Sequence, residues 1–200
     1  MWILIMLIVN YYGKNVRKNN EILNNLKEDV NGLGWLEGKF ESKSLFQGKI
    51  DITIMDNTDV AKEYAEKCIA HYNAINNNKE LLEKIQEGLA KFMLYMYEEW
   101  KAMGIYDDIT KDIETVINGY KEGNSLLKYL TKPGLYIELP ENIDEIGYVI
   151  QTECPWETEH MCAIVIRENE LKYVGPSEGN TPWDDDDEYY CIWNDDDVTE

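Results

Sequence analysis

From Asp59 to Tyr120 the apolar side chains recur at every third and fourth position, whereas beyond Pro133-Gly134 they come in short runs divided by turn residues. A 3.6-residue period buries one stripe of a helix and a two-residue period buries one face of a strand, so the switch predicts a helical middle followed by a sheet. Val60, Tyr64, Ala65, Cys68, Ile69 and Tyr72 mark a first helix, stopped by Asn76-Asn77-Asn78. Starting at Lys79, the stripe Leu81, Ile85, Leu89, Phe92, Met96 and Trp100 marks a longer core helix ended by Gly104. Ile113, Val116 and Ile117 carry a third over Thr110 to Tyr120, its first turn favoured by Thr110 and Asp112. Gly123 closes it, and Ser125 can cap a short helix to Leu130.

Strands are expected at Tyr136 to Leu139, Gly147 to Glu153, Met161 to Arg167 and Leu171 to Val174, close enough in sequence for an antiparallel meander. Cys162 to Ile166 is apolar without alternation, which predicts a strand covered on both faces, one of them by helices. Upstream, Ile50, Ile52 and Ile54 alternate with Asp51 and Thr53 as in a strand with one wet face, and Leu45 to Gly48 lies near a hairpin. Ile22, Leu23, Leu26 and Val30 have helical spacing, predicting a short amphipathic helix within residues 14–31, closed by Gly32 and Gly34. The opening Met1 to Val9 is nine apolar residues, far short of the roughly twenty that span a bilayer. It reads as a buried strand or docked segment, with a signal remnant or a misassigned start as alternatives. The expected class is α+β: a helical middle segment packed on a mostly antiparallel sheet with a C-terminal β-meander. Residues 1–180 are expected to form one domain, and 181–200 an acidic aromatic tail, partly docked.

Cys154-Pro155-Trp156-Glu157-Thr158-Glu159-His160 stands at the head of the strand Met161 to Arg167. Pro155 forbids a helix through it, so its side chains project from a turn or strand end, where binding groups are often found. Around it lie Leu126 to Leu130, Leu135-Tyr136-Ile137, Gly147 to Ile150 and Tyr173-Val174-Gly175. In that order these features resemble a bacterial family of unknown function whose hallmark is Trp-Asp-x-Glu-His-Gly between two late strands, closing with a hydrophobic-Val-Gly strand. The resemblance covers roughly the last two thirds of the chain. Glu157 stands where the family has Asp, and Met161-Cys162 replaces its glycine-containing step. The resemblance implies a fold and carries no activity.

Charge narrows the partners. The chain has 39 acids and 19 bases, a net charge of −20, which argues against gripping a phosphate backbone through a basic surface. Nine acids fall in the last twenty residues, and the other 30 against 19 bases still leave −11. Trp183, Tyr189, Tyr190 and Trp193 are interleaved with Asp184, Asp185, Asp186, Asp187 and Glu188, whereas purely solvating tails have few aromatics. Aromatic anchors amid a charged rim suit a protein interface, so a basic protein partner is expected, with no direct nucleic acid and no membrane. That describes an acidic protein-binding module, such as an immunity protein neutralising a basic toxin. The alternatives are a ligand binder or enzyme using Trp156, Glu157, Glu159 and His160, and a mimic of nucleic acid.

For the enzyme, Glu157, Glu159 and His160 are residue types suited to acid/base work. Strict strand alternation puts Glu157 and Glu159 on one side and Trp156, Thr158 and His160 on the other. The structural alternative packs Trp156 on the core, bonds His160 to a backbone carbonyl and solvates the acids. Cys154, His160, Cys162 and Cys191 fit no standard zinc spacing, and Asp184 to Glu188 lacks the central Gly of a calcium loop, so no metal or cofactor is expected. His71 lies near the end of its helix, where the dipole favours a capping role. Four scattered cysteines suit a reducing cytoplasm.

Overall fold

Inward-facing residues of consecutive strands share one side of a seven-stranded sheet. The computed structural model describes residues 25–104, 107–189 and 191. The strands are β1 (Lys27–Glu28), β2 (Leu36–Ser42), β3 (Gly48–Ile54), β4 (Thr131–Ile137), β5 (Gly147–Cys154), β6 (Glu157–Arg167) and β7 (Glu170–Pro176). They lie side by side in chain order. All neighbours are antiparallel except β3 and β4, where Ile52 pairs with Leu135 in parallel. Parallel neighbours need a long crossover. Three helices make it: α1 (Asp59–Ala74), α2 (Lys79–Met103) and α3 (Asp107–Lys121). The architecture is α+β with a C-terminal meander, as the change of period predicts.

The helix limits follow from local chemistry. Thr58 Oγ1 accepts from Ala61 N at the start of α1, and Asn78 Oδ1 accepts from Leu81 N at the start of α2. Gly104 closes α2 with φ 67°, a left-handed stop. Ala61, Tyr64, Ala65, Cys68, Ile69 and Tyr72 of α1 are buried, while Val60 is outside that stripe and half exposed. The expected helix to Leu130 is a 3-10 turn, Leu126–Tyr129, with Ser125 Oγ accepting from Leu127 N.

The helices cover one sheet face. Phe40, Ile50, Ile52, Leu135, Ile137, Ile150, Ile164 and Ile166 join the buried residues of α1, α2 and α3 in one core. Each fully buried aliphatic there contributes about 1.5–3 kcal/mol relative to exposure. Ala163 and Val165, pointing the other way, meet Val149, Tyr173 and Cys191 in a smaller cluster flanked by Tyr136 and Tyr189. Both faces of β6 are therefore covered, as its continuous apolar run requires. The second cover is the C-terminal segment rather than a helix.

Two expectations fail near the ends of elements. The described part of the expected helix within 14–31 holds β1 and a turn, and Val30 is 95% exposed. The reason is Asp29, whose carboxylate accepts from the N–H groups of Asn31, Leu33 and Trp35 at 2.9–3.2 Å and so stabilises a turn in place of a helix. Ile22, Leu23 and the segment Met1 to Val9 lie outside the described residues. Likewise, β4 begins at Thr131 and runs through Pro133-Gly134, which were expected to precede it; a register shift between Thr131 and Gly134 accommodates the proline.

Burial pushes the Asp29 carboxyl up, but the donors of Leu33, Trp35, Asn31 and Gly34 outweigh it and leave it below the usual value. A depressed folded value means that the stabilisation is present above the unfolded value, about pH 4, and is lost as pH falls through the folded one. Protection of the Leu33 amide, its exchange rate compared with the intrinsic rate at the same pH, is therefore expected to fall on acidification before protection in the β4 to β7 meander does. In Asp29→Ala that protection should already be low at neutral pH and lose its acid dependence.

Candidate functional site

Pro155 and Trp156 form the two-residue link between β5 and β6, with Cys154 paired to Glu157 across it. Thr152 then pairs with Cys162, so residues 158–161 bulge opposite Glu153. The bulge abolishes the expected alternation. Trp156 is fully buried and Glu157 is 7% exposed, while Thr158, Glu159 and His160 all face solvent.

Each side chain has a legible role. The Trp156 ring meets Phe92 of α2 edge to face, with centroids 6.5 Å apart, and its carbonyl accepts from Trp100 Nε1 at 2.9 Å. Its own indole N–H has no partner among the described residues. Glu157 Oε1 accepts from the backbone N–H groups of Glu159 at 2.7 Å and His160 at 3.0 Å, holding the bulge in shape. His160 Nδ1 stands 3.7 Å from that same oxygen. Glu157 and His160 are thus neighbours, whereas Glu159 contributes its backbone and leaves its carboxylate in water. The shared side expected for Glu157 and Glu159 is lost because the Glu157 carboxylate turns inward onto main-chain donors.

Glu157→Ala should strand two N–H groups and cost about 1–3 kcal/mol, while Glu157→Gln, which retains an acceptor, should recover most of it. Urea midpoints of the two variants check this. Equal losses would mean that the charge matters, not the geometry.

Among the described residues, no group of three or more His, Cys, Asp or Glu side chains could hold a metal ion. Cys154 and Cys162 lie in the helix-covered core, Cys191 lies on the opposite sheet face and His160 is solvent-facing. All four cysteines are free and buried. The neighbouring Cys154 thiol, then burial, push Cys162 well up; burial raises Cys68 to about 12 and Cys191 to about 11. Such thiols stay protonated and unreactive. His71 is in the last turn of α1, but its Nδ1 bonds the buried Tyr148 hydroxyl at 3.0 Å.

The acidic aromatic segment is tied to the sheet at several points. Trp183 covers Gly147, and its Nε1 donates to Glu138 O at 3.2 Å. Tyr189 OH donates to Thr181 O at 2.7 Å. Asp184 accepts from Thr181 N and Oγ1 at 2.8 and 2.6 Å, and Glu188 accepts from Asp185 N at 2.9 Å. Asp186 lies 2.7 Å from Lys172 Nζ and 2.9 Å from Arg167. The bond and charge of Lys172, with Arg167 adding, hold Asp186 below the usual carboxylate range. Asp185 and Asp187 remain exposed. Tyr190 and Trp193 lie outside the described residues.

One concavity carried no sequence signal. Its walls come from the β2–β3 turn, the 3-10 turn Ile75–Asn77 between α1 and α2, the first half of α2 and the end of α3 with the loop after it. The volume is about 680 Å³. No helix among the described residues is long and apolar enough to cross a membrane.

A family model described as a domain of unknown function, DUF6985, matches residues 22–181. That span begins earlier than the resemblance read from motifs, taking in the β2–β3 hairpin. No curated protein and no solved structure matches the chain.

Proposed function

The chain belongs to the DUF6985 family, and from that premise we propose that it is an acidic protein-binding module that covers a basic protein partner, in the manner of an immunity protein neutralising a toxin. Support comes from one observation. The segment from Thr181 to Tyr189 is fastened to the sheet by Trp183, Tyr189 and the Asp186 ion pairs, so Asp185 and Asp187 are presented from a fixed platform. Pre-organised charge costs less entropy on binding than charge on a loose tail. Seven of the nineteen bases, Lys39, Lys62, Lys84, Lys101, Lys132, Arg167 and Lys172, pair with carboxylates of this chain, and since each pair removes one charge of either sign the surplus of acids over bases stands. What remains outward is mainly negative, a field that speeds capture of a cationic protein.

The proposed setting is a bacterial cytoplasm, in keeping with four reduced, buried thiols. Residues 181–200 would then serve as the interaction segment of the domain formed by the rest. The test is calorimetry against any basic protein that an adjacent gene proves to encode, over a series of salt concentrations. Binding should weaken with salt, and Asp185→Asn with Asp187→Asn should raise the Kd at least several-fold while leaving the fold intact. If neither salt nor the double variant changes capture, or if no basic partner binds, the acidic surface serves solubility alone.

A further inference from the structure

The groove between the β2–β3 turn and the helix ends differs from the rest of the surface in one respect. Charged residues make up 29% of the chain, yet none of the eleven residues lining the groove carries a charge. Its polar groups are side-chain amides and hydroxyls, and its apolar ground is Leu45, Leu82 and Leu127 with the Tyr120 ring. Amides and hydroxyls both donate and accept, which suits a ligand whose own groups do the same. Anions meet no base there and are repelled by the acidic body; cations find no carboxylate.

Two details mark the groove as built to bind. Ser44 lines it while only 2% exposed, and its Oγ has no hydrogen-bond partner among the described residues. Native interiors seldom leave such a group unmet. Gln86, on α2, is held by its Oε1 accepting from Leu126 N at 2.8 Å, which fixes the side chain and keeps its NH₂ as a donor. The volume falls within the range of about 300–1,000 Å³ usual for small-molecule sites.

We propose that this groove is a binding site for a neutral saccharide, whose hydroxyl rim would meet Gln86 and Asn124 and, after a χ1 rotation that brings its sealed hydroxyl outward, Ser44, and whose C–H face would lie on Tyr120 and the leucines. A peptide fits less well. Strand addition needs a free sheet edge, and the groove is walled by turns and helices; a helical peptide needs a trough that is apolar throughout, and here three leucines and Tyr120 share the lining with six amide or hydroxyl residues. The site is separate from the acidic segment and does not depend on the protein-binding role proposed above.

The experiment is saturation-transfer NMR on the full chain with glucose, N-acetylglucosamine and maltose as probes and glucuronate as the anionic control. Amide shifts map the contact. At least one neutral sugar should receive saturation and shift Leu82, Gln86 and Leu127, with glucuronate markedly weaker. Gln47→Trp, placed on the exposed rim, should abolish the signal with the fold unchanged. Ser44→Ala should weaken binding about tenfold, the worth of one neutral hydrogen bond, without lowering the Tm of the free protein. Absence of transfer from all three sugars, shifts centred elsewhere, glucuronate binding as well as glucose, or full binding by Gln47→Trp would each overturn the proposal.

Discussion

Trp156→Ala is expected to destabilise the protein by about 3–5 kcal/mol, the usual cost of emptying a buried aromatic site. Trp156 is fully buried against Phe92 at the hinge of the β5–β6 hairpin, so the cavity would open where the helical layer meets the meander. For a chain of this size the loss corresponds to a fall in Tm on the order of 10 °C. Trp156→Phe separates the causes. Because the indole N–H has no partner among the described residues, phenylalanine forfeits volume but no hydrogen bond, and should cost less than about 1.5 kcal/mol. Thermal and urea unfolding measure both. A phenylalanine variant as damaged as the alanine one would show that a buried acceptor, such as an ordered water, holds the ring nitrogen.

Gly147→Val is expected to cost about 2–3 kcal/mol through overpacking and to lift the C-terminal segment from the sheet. A Cβ at this position would stand 2.6 Å from the Pro182 side chain and 2.7–2.8 Å from the Trp183 ring, closer than carbon atoms approach. The glycine cannot retreat, because its N–H donates to Tyr64 OH at 2.9 Å and its carbonyl accepts from the same hydroxyl at 3.3 Å. Trp183 must therefore yield, and its emission should move to the red while protease cleavage near Ser177 to Thr181 quickens. Combining Gly147→Val with Trp183→Ala should cost less than the two changes added, by on the order of 1 kcal/mol, since the second removes what the first strikes. Simple additivity would mean that the valine acts through the Tyr64 bonds and leaves the segment docked. The same variants bear on the proposed partner: a lifted segment would keep its charge and lose its fixed presentation.

How much of the candidate site was legible in advance depends on how local each feature is. The turn at Pro155 and the burial of Trp156 follow from a proline that cannot continue a helix and a large ring beside an apolar run. The inward turn of Glu157 does not, because it depends on a bulge created by the register between β5 and β6. Asp184 to Glu188 reads in sequence as the solvated rim of a partly docked tail. In the fold, Asp184 and Glu188 cap turns and Asp186 is paired, since Arg167 and Lys172 arrive from β6 and β7. Ser44, Gln86 and Asn124 carried no motif at all, as they meet only where separate segments converge.

Element types and most of their limits were determined by the sequence itself, through 3.6- and two-residue apolar periods, caps at Thr58, Asn78 and Ser125, and the stop at Gly104, because each depends on residues within a few positions of one another. Of the two failures of that kind, the turn at Asp29 arose from a competition between side-chain and backbone acceptors that the apolar spacing does not register, and the early start of β4 from a register shift that lets a strand pass through Pro133. Tertiary structure alone decided that β4 joins β3 in parallel, that Tyr189 and Cys191 cover the face of Ala163 and Val165, and that residues from 44–47, 76–86 and 120–127 line an uncharged groove. Those outcomes depend on the free energy of burying surfaces brought together from far along the chain, which no local pattern encodes.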